Sequence, residues 1–386
     1  MNAIAKSKMH AAVISTGRQD WGILRGLCHL LNDSDEFDLS LLLGGMHGAS
    51  QFGSTGKLVV KEGFKLAAEL NWINCSNISK PAEQSGAAIQ MVSGKLSELK
   101  PDFLILVGDR FETAAAALAA NLCNVPIVHL HGGEETLGAI DNNLRHAITK
   151  LSHLHLTSHV DHAQRVLAMG ESENTVHVVG APGLDNLHRS DLPSKYDLEK
   201  RLEMSLDSPV VVVTVHPTTV LKDSLSEVRE IVEAMSQVPA VYVITLPNVD
   251  PSAQEVRELL IEVGQWQRCV AVEALGEAFY WTLLKEADAM LGNSSSALIE
   301  APAVQLPAVN VGMRQKERLC GPNVIHVDSS SDMIKKGLEL ALSSDFRRSL
   351  LGKASIFGNG DASPKIFKIL KEWIPPVPPI KDPIII

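Results

Sequence analysis

The chain lacks the cysteine patterns that would mark a disulfide scaffold or a zinc module. Its 386 residues include five cysteines (Cys28, Cys75, Cys123, Cys269 and Cys320), scattered, odd in number and without a Cys-x-x-Cys pair. That usage predicts buried, reduced thiols and a cytoplasmic protein. Residues 1–9 carry no apolar stretch of signal-peptide type, and no apolar run approaches a membrane span. No Gly-x-Gly-x-x-Gly fingerprint occurs, so a nicotinamide dinucleotide has no support. His-Glu-x-x-His and clustered Cys/His spacings are also absent. Half of the 14 histidines do lie between His129 and His162, six of them as i,i+2 pairs on strands (129/131 and 153/155) or at a helix entry (159 and 162). Zinc needs three or four convergent ligands, so no metal site is expected. The net charge of −10 argues against a nucleic-acid or anionic-membrane surface, while allowing a local basic pocket.

What is present is alternation. A 45% hydrophobic, 21% charged composition is that of a globular protein, and 386 residues exceed one ordinary core. Short β-rich runs are read near 11–15, 37–43, 103–107, 127–130, 154–157 and 176–179. Helical segments intervene near 21–32, 81–98, 111–122, 140–151 and 160–169. A second series restarts at Pro209 and continues through 241–247, 269–275, 289–293 and 308–312. Strands without polar alternation are buried on both faces, which means parallel sheets covered by helices. The expected fold is α/β with two Rossmann-like domains: 1–187, 188–362, and a C-terminal helix with a proline-rich tail, 363–386, packing back on the first.

The segment 105–146 is the richest in chemistry. Two apolar runs end in Gly108-Asp109-Arg110 and His131-Gly132-Gly133-Glu134-Glu135, with an alanine-rich helical stretch between them. In parallel sheets ligands bind past the carboxyl ends of strands, so Asp109 and Glu134 should face one crevice. Asp141 and Arg145 follow at helical spacing from each other. Three carboxylates and arginine in one cleft are acid/base equipment for an anionic, polar substrate. His131, beside the glycines, is the histidine expected to touch substrate.

In the second half, Gly292-Asn293-Ser294-Ser295-Ser296 follows a buried strand and is read as opening a helix through Glu300. First-turn amides and serine hydroxyls suit phosphate, although one Ser suffices for an ordinary N-cap. Glu300 is placed to meet ribose hydroxyls. Arg18, in the loop after the first strand, is a phosphate candidate, and His216 closes a strand where it would face a diphosphate or a reacting proton. Arg314 and Arg318 follow another buried strand and would neutralise a diphosphate. Arg110 and Asn248 complete the substrate-binding candidates.

Together, GRQDWG (17–22), GMHGASQFGST (45–55), VGDRFETAAAALAA (107–120), HLHGGEETLGAIDNNLRHAITKLSHLH (129–155), VGAPGLDN (179–186), HPTT (216–219), LPNVD (246–250), GNSSSALIEAP (292–302) and VNVGMRQKERL (309–319) resemble the UDP-N-acetylglucosamine 2-epimerase family. The HGGE…GAID pattern is similar to its hydrolysing branch, used in sialic and legionaminic acid synthesis. The resemblance implies a GT-B-like fold with the active site in the interdomain cleft, and a homodimer or homotetramer. It implies Asp109, Glu134 and Asp141 as catalytic carboxylates, and nucleotide or diphosphate contacts from Arg18, His216, Ser294, Ser295, Glu300 and Arg314, with no metal or other cofactor. The implied reaction is UDP-N-acetylglucosamine plus water giving N-acetylmannosamine and UDP, by elimination to 2-acetamidoglucal and hydration. Thr16 to Gly22, Met313 and Glu317 depart from the family pattern. They leave open a UDP- or GDP-linked diacetylbacillosamine donor, with a GT-B glycosyltransferase as a further alternative.

Overall fold

The computed structural model describes residues 8–48, 55–73, 80–135, 140–207, 209–216, 224–247, 253–273 and 275–381. These form two compact units. One takes in the chain up to Glu135, Ile140–Asp185 and the chain from Gly360 onward; the other comprises Asn186–Asn359.

The first unit carries strands β1 (Met9–Ser15), β2 (Phe37–Gly44), β3 (Leu66–Leu70), β4 (Phe103–Val107), β5 (Ile127–Leu130), β6 (Leu154–Thr157) and β7 (Val176–Val178). They pair in the order β3-β2-β1-β4-β5-β6-β7, every ladder parallel. Helices α1 (Arg18–Asn32), α2 (Gly56–Lys61), α3 (Pro81–Leu99), α4 (Phe111–Leu122), α5 (Asp141–Leu151) and α6 (Val160–Ala168) accompany them. Every residue of β4, Phe-Leu-Ile-Leu-Val, is buried, as a strand covered on both faces requires. The alanines of α4 serve close packing: Ala115, Ala116, Ala117, Ala119 and Ala120 are all buried and let α4 lie tightly against the sheet and α3. β1 lies between β2 and β4, so the strand order reverses there and opens a crevice at the carboxyl ends of β1 and β4.

The second unit repeats the scheme with β8 (Val210–Thr214), β9 (Val241–Thr245), β10 (Cys269–Val272), β11 (Ala289–Gly292), β12 (Ala308–Val311) and β13 (Val324–Val327), ordered β10-β9-β8-β11-β12-β13 and parallel. Its helices are α7 (Lys195–Leu202), α8 (Ser224–Gln237), α9 (Gln254–Val263), α10 (Glu277–Glu286), α11 (Ser331–Leu342) and α12 (Ser344–Leu350). Here the reversal falls between β8 and β11. The edge strands β3 and β13 were not expected from the sequence. Both are only partly buried, so neither shows the continuous apolar run that marks the central strands.

Helix α13 (Ala362–Glu372) belongs to the first unit and packs on α1. The Asp185 carboxylate accepts from the backbone N–H groups of Ala362 (2.9 Å) and Ser363 (2.6 Å), satisfying donors that a helix start leaves open. Ile366 and Leu370 are fully buried in the same core as Leu24 and Leu27, and the Phe367 ring meets Phe37 at 5.5 Å. Beyond it the proline-rich tail stays attached through Lys381, which donates to Glu171 (2.5 Å) and to the Thr149 carbonyl (3.2 Å). The terminal residues 382–386 lie outside the described range. Among the described residues no helix is long and apolar enough to cross a membrane.

Candidate active site

The carboxyl ends of β1, β4 and β5 gather the polar groups of the first unit. After β4, Gly108 turns with φ +80° and hands the chain to Asp109 and Arg110. The Asp109 carboxylate forms an ion pair with the Arg145 guanidinium, which reaches it from α5. Arg145 is 4% exposed, and its Nε and Nη1 have no partner among the described residues. Donors left in that state are suited to an anionic ligand. Arg110 instead grips Glu112 through two bonds, 2.8 and 3.1 Å. Burial works against its charge, but Glu112, then Asp20 and Asp141, outweigh this and hold Arg110 above its ordinary value. Asp141, the first residue of α5, thus shares the electrostatic surroundings of Arg110.

Past β5 the chain adopts φ +63° at His131 and +77° at Gly133. A Cβ on Gly133 would lie 2.1 Å from the His162 carbonyl oxygen, so only glycine lets this loop nest against α6. The turn carries His131 Nδ1 to within 2.6 Å of Glu134 Oε1. Its other nitrogen, Nε2, is buried and without a partner among the described residues, leaving a polar atom for a ligand to meet. His129 lies under the loop, with Nε2 donating to the Gly108 carbonyl at 2.9 Å, and burial pushes it down to about 3. It is a neutral strut between the β4 and β5 loops.

Three groups here escaped sequence reasoning. Asp20 lies buried in α1 and accepts from Thr16 through both N–H (2.8 Å) and Oγ (2.6 Å). Burial raises it to about 6, against those bonds and the pull of Arg110. Ser158 and His162 extend from Glu134, and only the packing of the loop after β5 against the end of β6 and α6 brings them there. Arg18 opens α1 with its side chain exposed. Among the described residues no three His, Cys, Asp or Glu side chains converge as a metal site.

In the second unit Asn293 is the hub. It is fully buried; its Oδ1 accepts from the His216 N–H (2.8 Å), and its Nδ2 donates to the His216 carbonyl (2.9 Å) and Glu227 (2.9 Å). Its carbonyl accepts from Arg314 Nη1 (2.8 Å) and Gln315 Nε2 (3.1 Å), and Arg318 donates to Gln315 (3.0 Å). His216, Arg314 and Arg318 therefore meet on one framework at the β8–β11 reversal. Gly292 is required there, because φ is +138° and a Cβ would sit 2.0 Å from the Thr214 carbonyl oxygen.

The expected helix from Ser294 through Glu300 is not an α-helix. Ser295–Ala297 and Ala301–Val304 are separate 3₁₀ turns. Pro302 has no N–H to offer the carbonyl four residues back, which stops α-helical continuation. Ser294 caps the first turn by accepting from Ser296 N–H (3.3 Å), and Ser296 Oγ bonds Tyr280 (2.7 Å). A long helix dipole is absent from this place, so any anion must rely on local amides, hydroxyls and the arginines. Glu300 is half-buried and raises the neighbouring Tyr280 hydroxyl, after burial itself. Asn248 falls outside the described residues.

Two parallel sheets of this topology make the chain an α/β protein of GT-B-like fold. It matches the family described as UDP-N-acetylglucosamine 2-epimerase over residues 29–371, and it belongs to that family. A "GDP/UDP-N,N'-diacetylbacillosamine 2-epimerase (hydrolyzing)" of Campylobacter jejuni is 34% identical over 89% of this chain and 90% of its own. A "UDP-N,N'-diacetylbacillosamine 2-epimerase (hydrolyzing)" of Legionella pneumophila is 32% identical over 92% and 93%. Among solved structures, the UDP-GlcNAc 2-epimerase of Neisseria meningitidis bound to UDP-GlcNAc superposes with a TM-score of 0.81, at 18% identity, over 95% of this chain and 100% of that one. At that identity the likeness is one of fold.

Proposed function

We propose that this protein is a hydrolysing 2-epimerase acting on UDP- or GDP-linked N,N'-diacetylbacillosamine, releasing the nucleoside diphosphate and a free sugar inverted at carbon 2. The observation that carries this is the likeness, over about nine-tenths of both chains, to the two relatives named for that activity. The family description alone suggests UDP-N-acetylglucosamine, which is the second reading.

The chemistry follows from what carbon 2 demands. Its proton is too weakly acidic for a simple base in water, but it can leave as the nucleoside diphosphate departs from carbon 1. The carbon 1–carbon 2 double bond then takes up water at carbon 1 and a proton on the opposite face of carbon 2. This scheme needs a base, an acid and a group to activate water. Asp109, Glu134 and Asp141 share these roles, with Arg145 orienting Asp109 and His131 orienting Glu134. Arg18, Arg110, His131, Arg145, His216, Asn248, Ser294, Ser295, Ser296, Glu300, Arg314 and Arg318 supply substrate contacts, those of the second unit meeting the nucleotide.

The test is a donor panel of UDP-N-acetylglucosamine and UDP- and GDP-linked N,N'-diacetylbacillosamine, followed by nucleotide release and by NMR of the sugar. Faster turnover of a diacetylated donor is expected. Preferential turnover of UDP-N-acetylglucosamine would replace this reading with the second. In deuterium oxide the product should carry deuterium at carbon 2; unlabelled product would exclude elimination.

A further inference from the structure

Glu134 is held from behind by a short chain of hydrogen bonds. Ser158 Oγ lies 2.9 Å from Glu134 Oε1 and 2.9 Å from His162 Nδ1. All three side chains are buried, at 6%, 2% and 6% exposure for Glu134, Ser158 and His162. Ser158 follows β6 directly and His162 lies in the first turn of α6, so both ride on regular structure.

The direction of these bonds follows from counting protons. A carboxylate oxygen only accepts, and a serine hydroxyl has one proton to give. With Glu134 ionised, the Ser158 proton goes to Oε1, so His162 Nδ1 must carry the hydrogen that Ser158 Oγ accepts. His131 Nδ1 donates to the same Oε1 by the same reasoning. A chain polarised in one direction strengthens each of its bonds.

We propose that Ser158 and His162 are positioning residues for Glu134, holding its carboxylate in one orientation as a hydrogen-bond acceptor. This rests on Glu134 being one of the proton-handling groups. Three further contacts lock α6 to the same loop. Arg165 bonds the Gly133 carbonyl and pairs with Glu135 at 3.0 Å, and Gly133 seats against the His162 backbone. Burial pushes His162 down to about 4, with His131, Arg165 and His159 acting in the same direction and Glu134 against it. The imidazole is therefore neutral at working pH, and its tautomer is the variable that matters.

Two measurements test this. In the full-length protein without substrate, imidazole ¹⁵N NMR, assigned by His162→Phe, should show His162 protonated at Nδ1. An Nε2-protonated His162 would overturn the proposal, because Ser158 would then donate away from Glu134. In the turnover assay, Ser158→Ala and His162→Phe should lower kcat by about tenfold or more with KM changed less than about twofold. The acid limb of kcat/KM should move up, since a carboxylate that loses a donor holds its proton more tightly. Ser158→Thr, which keeps the hydroxyl, should restore both. Wild-type kcat and acid limb in Ser158→Ala and His162→Phe, beside an inactive Glu134→Gln, would remove the positioning role and leave the function of Glu134 standing. Full turnover by Glu134→Gln would remove both.

Discussion

The Arg145 guanidinium, on α5, pairs with the carboxylate of Asp109 at the end of β4. Thirty-six residues separate the two, and the helix that carries Arg145 begins with Asp141. One helix thus supplies a carboxylate and the cation that orients a second carboxylate.

Breaking that pair from one side leaves a partly buried charge without its counter-ion. Arg145→Leu should lose about 3 kcal/mol of stability, and Asp109→Asn with Arg145→Leu together should lose less than the two single losses added. Urea unfolding of the three variants checks this, and strict additivity would mean that the pair is not coupled. Asp109→Asn should also cut kcat by about a hundredfold or more.

Gly133→Ala forces a side chain onto the His162 carbonyl oxygen at φ +77°. The loop must lift from α6, at a cost of about 2–4 kcal/mol, and Glu134 moves with it. Turnover should fall below one-hundredth of wild type (roughly) while the nucleotide binding proposed for the second unit persists. Isothermal titration with UDP and GDP beside a rate assay separates the two effects.

Asp20 gives stability a pH dependence of unusual sign for a carboxylate. Its folded value, about 6, lies above the ordinary 3.8. The folded state holds the proton more tightly, so this contribution is complete below pH 3.8 and is lost as pH rises through about 6. The loss is about 2–3 kcal/mol for a fully buried group. Asp20→Asn, which still accepts from Thr16, should flatten the stability profile between pH 4 and 7 (roughly), as denaturant titrations at both ends would reveal. An unchanged slope would show that Asp20 is ionised throughout.

Glu171 acts in the opposite sense. It takes bonds from Lys150 (2.7 Å), His155 (2.9 Å) and Lys381 (2.5 Å), and despite burial these lower it from 4.5 to about 2. Its contribution is present above pH 4.5 and is lost as pH falls toward 2. Because Lys150 and Lys381 are partly exposed, Glu171→Gln should cost only about 1–2 kcal/mol near neutrality. It should also release the tail beyond Pro375, measured as faster proteolysis there. Equal proteolysis would show that the tail is held by other contacts.

Asn293→Ala removes three side-chain hydrogen bonds at a buried point, while the main-chain carbonyl that accepts from Arg314 and Gln315 remains. The second unit should lose about 2–4 kcal/mol, and the affinity for UDP or GDP should fall as the His216 backbone and Glu227 lose their common anchor. Calorimetric unfolding and nucleotide titration provide the check.

Much of this architecture was legible beforehand, for a physical reason. A central parallel strand is buried on both faces, and runs as apolar as FLILV and VVVV meet that demand. The half-buried edge strands β3 and β13 carry no such constraint and went unread. The helix expected after Ser294 failed because serine caps and glycine turns precede α and 3₁₀ segments alike. Pro302 then bars α-helical continuation past Glu300. The polar groups that follow β4 and β5, Asp109 and Glu134, stood out in the sequence because charge and glycine interrupt apolar runs at strand ends.

By itself, then, the amino-acid sequence determined two parallel α/β units and the identity of the charged groups at their strand ends. Local polarity and the doubling of the strand series suffice for that. Only the tertiary structure decided the partnerships: Arg145 with Asp109, and Ser158 with Glu134. Each joins residues on different elements, and a buried polar atom takes whichever donor the packing brings within hydrogen-bond reach.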